Sequence, residues 1–270
     1  MQWEELTAPD FSAAVGSTGV CVLSLGVLER HSEHLPLGTD VLNAHALACL
    51  AAGREPAVVF PAFYYGQIYE ARCFPGALTI PPALLLSLLQ ATLSEIGRNG
   101  FRKIILLNGH GGNTALLRFL AQCTLAEEQP FSLYVYTGLD PERQKQWDAL
   151  LETRLHGHAC ECETSISLAN HPELVHMERV PAEPADPLGR TGHLPGSFSG
   201  ISWYANYPEH YAGDARPATR EKGLALRELE VAALAEFIQA VKNDQAVPAL
   251  ESEFFARVRS VSAPFDGPSR

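Results

Sequence analysis

"GVCVLSLGVLERHSEHLPLGTD" (residues 19–40) opens as a nearly unbroken apolar run, then breaks at Glu29 into carboxylates, an arginine and two histidines. A short run rich in Val and Leu suits a strand buried on both faces, as in a parallel sheet. The stretch after it, "TDVLNAHALACLAAG" (39–53), reads as a helix with Thr39 or Asp40 as N-cap and Gly53 as its stop. The alternation then repeats. A strand is expected over 56–66, a helix from Pro81-Pro82 to Gly97 or Gly100, a strand over 103–107, a helix from Thr114, and a strand over 131–138. Strands alternating with helices at this spacing predict an α/β fold, a layered sandwich whose central sheet is mostly parallel and flanked by helices.

The later chain is less regular. Residues 181–218 turn to Pro, Gly, Ser, Asp and aromatics, among them Trp203, Tyr204, Tyr207, His210 and Tyr211. A long loop of this kind is expected to line or cover a pocket, or to pack against a partner subunit. "REKGLALRELEVAALAEFIQAVKND" (220–244) is an amphipathic helix, and from about residue 245 a peripheral tail is expected. Residues 1–270 are read as one domain.

Bulk properties narrow the function. With 46% hydrophobic residues, the chain can bury a sizeable core. Its net charge of −11, with Lys and Arg scattered, lacks the electrostatic footprint of a nucleic-acid binder. No apolar stretch reaches the roughly 20 residues of a membrane span, and "MQWEELTAPDFSAAV" (1–15) has no signal-peptide pattern. A soluble cytoplasmic protein is expected, with the six dispersed cysteines as reduced thiols. Cys160 and Cys162 are two apart, where extended backbone would point them to opposite faces.

In an open parallel sheet, ligands bind beyond the carboxyl ends of the strands. Two predicted strands end in polar clusters, Glu29-Arg30-His31 and Asn108-Gly109-His110, with Asp40 at the start of the next helix. Carboxylates with imidazoles suit zinc or manganese, whereas calcium and magnesium favour an all-oxygen shell. A polar surface loop is the plainer reading of any one of these residues. "NGHGGN" (108–113) leads into a helix like a phosphate loop, yet it is neither GxGxxG nor a Walker motif, and His110 would obstruct one. "HGHACECETSISL" (156–168) adds Glu163, whose carboxylate a helix start could orient, and His158 as a general acid or base if it is not itself a ligand. Thiolate binding of zinc by Cys160 and Cys162, or a nucleophilic cysteine paired with His158, are the other readings of that segment.

Together these clusters resemble the creatininase (creatinine amidohydrolase) family. "GVLERHSEHLPLGTD" is similar to its GSxEQHGPHLPLGTD stretch, NGHGGN stands unaltered, and "HACECETS" (158–165) resembles HAGExETS. "GDARPATREKG" (213–223) is a weaker fourth match, and the four keep family order across most of the chain.

The resemblance implies an α/β sandwich, a homo-oligomer with a hexamer favoured, and a two-metal site hydrolysing an amide or related bond of a small molecule. Carried over by position, Glu29 and His110 would bind one divalent ion, His31 and Glu163 the other, with Asp40 bridging. The ions would be zinc or manganese, with iron also admissible. His158 would shuttle the proton to the leaving group, and Arg30, Gly111, Gly112 and Glu161 are expected to face substrate. The departures are Arg30 for the usual Gln, Ser32 for a common Gly, and Cys160 for a Gly. Gly111-Gly112 stands where true creatininases carry Tyr-Glu, and "VYTGLD" (135–140) lacks their substrate-stacking tryptophan. These point away from creatinine as the substrate. The alternatives are hydrolysis of a carbon–carbon or ester bond, and a non-catalytic metal-binding member.

Overall fold

A computed structural model of the chain describes residues 1–261. Helix α1 (Ala8–Thr18) ends at Gly19, whose φ of +63° closes the helix in the left-handed region and turns the chain into strand β1 (Val20–Leu25). There follow α2 (Thr39–Arg54), β2 (Val58–Val59), α3 (Pro82–Arg98), β3 (Lys103–Asn108), α4 (Thr114–Cys123) and β4 (Ser132–Tyr136). The second half holds α5 (Pro141–Ala149), β5 (His156–His158), α6 (Glu161–Asn170), α7 (Ser202–Asn206), β6 (Ala212–Gly213), α8 (Arg220–Asn243) and α9 (Ala246–Val261). Among the described residues no helix is long and apolar enough to cross a membrane.

The main sheet runs β2-β1-β3-β4 with every pairing parallel, the arrangement expected from the sequence. Alternate residues of β1 face opposite layers. Cys21, Leu23 and Leu25 pack with Leu85, Leu89 and Leu93 of α3 and with Leu117 of α4. Val20 and Val22 pack with Ala48 and Ala51 of α2 and with Leu234 and Ile238 of α8. Each fully buried aliphatic side chain contributes about 1.5–3 kcal/mol, so the two faces together hold the strands between helical layers.

Three expectations change. The second strand covers only Val58–Val59 of 56–66, because Pro56 and Pro61 offer no N–H to a ladder. The segment read as a tail forms α9, which buries Phe255 and ties Glu251 to Ser132 Oγ at 2.5 Å. Cys160 and Cys162 do not diverge: Cys160 caps α6 and Cys162 lies in its first turn, so their sulfurs meet at 3.3 Å. The expectation of one domain over 1–270 extends beyond the described residues at 262–270.

The strand order also creates the site. From β1 the chain moves outward to β2, then returns across β1 to lay down β3 on the other side. Crevices at such a reversal collect ligands at the strands' carboxyl ends. Here those ends belong to β1 and β3, joined to residue 109 by a hydrogen bond from Gly109 N–H to Leu25 O of 2.8 Å.

Candidate metal centre

The start of α2 presses directly onto these strand ends. A Cβ on Gly26 would lie 2.4 Å from Val41 N, and one on Gly109 would lie 2.5 Å from Asp40 O. Only glycine permits that approach, and it delivers Asp40 between the segments leaving β1 and β3. Beyond β1 the chain folds into a tight turn, with Glu29 N–H bonded to Leu37 O at 3.0 Å and His31 bridged to Leu35. Ser32 makes that turn at φ +54°, in the region that favours glycine. Glu163 comes from the first turn of α6, where its Oε2 accepts from Ala159 N–H at 2.5 Å.

The five expected ligands thus converge in one buried cluster. His110 Nδ1 lies 2.8 Å from Glu29 Oε1 and 3.1 Å from Asp40 Oδ2. His31 Nε2 donates to Asp40 Oδ1 at 3.0 Å, and its Nδ1 donates to the Glu29 carbonyl at 3.3 Å. His31, His158 and Glu163 form a second group with donor atoms within 4.8 Å of one another, as do Glu29, His31 and Asp40. His158 Nε2–H donates to Arg30 O at 2.8 Å, and its ring lies 4.2 Å from that of His31.

Two observations fit this cluster to cations. Glu29 Oε1 and Asp40 Oδ2 are buried and make no hydrogen bond of proper geometry despite their closeness to His110. Buried carboxylate oxygens left this way cost free energy unless a charge meets them. The second is the behaviour of the imidazoles. Burial opposes their charged form, yet Asp40, Glu29 and Glu163 carry His31 up to about 10. His110 likewise rises well above its ordinary value through Asp40 and Glu29, against burial. The carboxylates are calling in positive charge, which a divalent ion would supply in place of those protons. His31 is already oriented for this. Its Nδ1–H stays on a backbone carbonyl and leaves Nε2 as donor, the outer-shell arrangement of ligating histidines.

The environment separates the remaining titratable groups. Burial, then the charge of His31, take His158 down to about 3, which keeps it neutral. Burial pushes the Glu163 carboxyl up to about 7; His31 opposes the rise and Asp40 and Glu29 add to it. Above the cluster opens a cavity of about 800 Å³, lined by Glu29, His110 and Glu163 below and by Phe198, Trp203 and His210 on one side. That volume lies in the range of small-molecule sites.

A family model described as Creatininase: Creatinine amidohydrolase matches residues 4–238. The chain belongs to the creatininase family. It is 30% identical to the creatinine amidohydrolase of Pseudomonas putida over 264 residues, covering 87% of this chain and 95% of that one. It is 26% identical to the 3-dehydro-scyllo-inosose hydrolase of Thermotoga maritima, covering 90% and 82%. A solved mutant creatininase described as Zn-Zn type superposes with a TM-score of 0.76 at 27% identity, covering 90% of this chain and 98% of that one.

Against the creatininase motifs, the expected substrate-facing residues divide. Gly111 and Gly112 line the cavity, where a Cβ on Gly112 would sit 2.4 Å from His110 Nε2. Arg30 is placed otherwise: its guanidinium pairs with Glu33 at 2.6 Å and Glu209 at 3.4 Å, and lies 4.6 Å from the Phe74 ring centroid. Its repulsion from the centre is relieved by turning outward. Glu161 is a correction. Its carboxylate is fully buried on the other side of α6, where it accepts from Glu152 N–H, Thr153 N–H and Lys222 Nζ, so it anchors structure and does not face substrate. Nor does Cys160 need a glycine's freedom, since its φ is −91°; the left-handed residue of that turn is Ala159, at +51°.

Sequence reasoning did not assign His210 a role. Its Nε2 donates to Glu29 Oε2 at 2.5 Å while its Nδ1 accepts from Trp203 Nε1–H at 3.2 Å. It is buried at φ +55°, in the loop that sequence had marked only for its aromatics. Glu33 stays at the surface with Arg30, and buried His34 braces Thr164 Oγ1 at 2.9 Å.

Proposed function

We propose that this chain is a binuclear metal-dependent hydrolase that cleaves an amide bond, cyclic or a formamide, in a small molecule. The observation that carries the reading is the convergence of Glu29, His31, Asp40, His110 and Glu163 on one floor, with the buried Glu29 Oε1 and Asp40 Oδ2 lacking a well-formed hydrogen bond. Mixed imidazole and carboxylate donors suit zinc or manganese. Glu29 and His110 would hold one ion, His31 and Glu163 the other, and Asp40 both. Bound there, such ions supply Lewis-acid polarisation of a carbonyl and an acidified water.

The chain's own groups do the rest. Trp203 narrows the cavity beside the cluster and limits water around the reacting bond. Neutral His158, anchored through Nε2–H to the Arg30 carbonyl, stands 3.7 Å from Glu29 Oε2 and would carry a proton toward the leaving atom. His210 fixes Glu29 from the side opposite His110, relaying the rigidity of Trp203. Gly111 and Gly112 leave space over His110 for the substrate. The similarity to an inosose hydrolase supports a second reading, cleavage of a carbon–carbon bond in a cyclic substrate by the same floor. Exposed Leu194, Phe198 and Ile201 on the loop beside the cavity support assembly into a homo-oligomer, which a sedimentation experiment reads directly.

The test is metal analysis of dialysed protein together with turnover of a panel of lactams, formamides, short peptides and cyclic diketones. Two equivalents of zinc or manganese and a chelator-sensitive activity are expected. Protein without stoichiometric metal overturns the reading.

A further inference from the structure

On the far side of the turn that carries His158, a second set of ligand atoms comes together. One ring nitrogen of His156 and the sulfurs of Cys160 and Cys162 all lie within 4.8 Å of one another. None of the three belongs to the carboxylate–histidine cluster. The two sulfurs are 3.3 Å apart, and both cysteines are buried. His156 Nδ1 is buried without a hydrogen-bond partner, an arrangement that costs free energy unless something meets it. Around the trio stand Leu226, Leu150, Leu151 and Ile166, with the Trp147 ring edge-on to His156 at 5.6 Å.

We propose that His156, Cys160 and Cys162 form a second, soft metal site that binds a thiophilic d10 cation, Zn²⁺ or Cu⁺. Two thiolates and an imidazole are the donors this class prefers, and the apolar surround disfavours the oxygen-loving ions suited to the other centre. Binding releases the two thiol protons to solvent, so no oxidant is needed. An imidazole with two thiols completes a three-coordinate Cu⁺ site, or leaves one position of a zinc tetrahedron to water.

The place of this site in the fold gives it a purpose. His156 lies on β5 and the cysteines on the cap and first turn of α6, with His158 and left-handed Ala159 between them. A cation joining strand to helix would clamp that strained turn. It would thereby fix both His158 and Glu163, which project from either end of it toward the cavity.

The experiment is Co²⁺ titration of the full chain under reducing conditions, read by absorption. Cobalt in the carboxylate–histidine centre gives no thiolate-to-metal charge-transfer band, so the signal is independent of the function proposed above. One equivalent of near-ultraviolet thiolate band per chain is expected, lost in Cys162→Ser and kept when Cys49, Cys73 and Cys123 are all serine. Bleaching by equimolar Zn²⁺ identifies the occupant as a divalent ion, and bleaching only by Cu⁺ identifies copper; either upholds the site. Should Cys162→Ser not fold, X-ray absorption on the triple variant loaded with one equivalent of Cu⁺, which the carboxylate–histidine centre does not favour, decides, two sulfur neighbours upholding the proposal and fewer overturning it. It also falls if the band survives Cys162→Ser, or if wild-type protein neither gives a band nor retains one Cu⁺ against a competing chelator.

Discussion

The close fit of α2 onto the strand ends makes Gly26→Ala the most informative single substitution. The added Cβ would meet Val41 N at 2.4 Å and the Asp40 side chain at 2.8 Å, against an ordinary contact of 3.4 Å or more. These are main-chain and first-turn atoms that no rotamer change can move aside. The first turn of α2 must therefore withdraw by about 1 Å, taking the Asp40 carboxylate with it. Overpacking of this kind costs about 1–3 kcal/mol, which in a chain of this size lowers the melting temperature by about 2–12 °C. A displacement of about 1 Å in a catalytic group costs on the order of a hundredfold in turnover. Gly16→Ala in α1 is the control: nothing lies within 4 Å of its Cβ, so it should stabilise by about 0.4–1 kcal/mol. Calorimetry and metal analysis after dialysis against a metal buffer give the readout. If Gly26→Ala melts with wild-type protein and keeps its full metal content, the packing of α2 does not position Asp40 and the geometric account is wrong.

Three further outcomes are expected. His158→Asn should retain both metal ions while losing about 10²–10⁴-fold in turnover; a loss of metal would instead make His158 a ligand. Glu161→Gln should turn an amide N–H toward donors that now meet a carboxylate, Glu152 N–H, Thr153 N–H and Lys222 Nζ, while Lys222 keeps Glu152 and Pro217 O; a cost of about 1–3 kcal/mol with KM unchanged is expected, and an altered KM at full stability would return the residue to the binding site. In metal-free protein, His31 binds its proton up to pH about 10 when folded but only to about 6.5 when unfolded. Stability from this group is present below pH 6.5 and falls as the pH rises to 10, by on the order of 5 kcal/mol. Denaturant titration between pH 7 and 10 in chelator should show that decline, and metal-loaded protein, whose His31 has already released the proton, should not; parallel profiles would refute the linkage.

How much of this was legible in the sequence depends on how far apart the deciding residues lie. β1, α2, α3 and β3 carry their own signals, because an apolar run or a capped amphipathic stretch is local and its burial follows from its period. Glu29, His31, Asp40 and His110 could be nominated because each follows or begins such an element, whereas Glu163 was nominated as a ligand only through its place in a family motif. α5 was not legible, as its turns carry Glu142, Arg143, Lys145 and Asp148 with no apolar face to betray it. β5 was equally silent: three residues, His-Gly-His, are extended only because β6 pairs with them from beyond the long loop. Glu161 illustrates the reverse error. Its place inside a family motif suggested substrate, but motif position says nothing about which way a helix turns a side chain, and Lys222 from α8 settles it. His210 is the instructive case. It reaches Glu29 across a separation of 181 residues, from a loop whose composition suggests a pocket wall or interface but singles out no residue in it. Its φ of +55° and its bond from Trp203 exist because β6 and α7 bracket it, and neither element has a period of its own. The floor of the cavity was thus written locally at strand ends, whereas its wall is a tertiary product. Because the floor alone fixes the type of chemistry and the wall selects what reaches it, reaction class was readable from this sequence while the substrate was not.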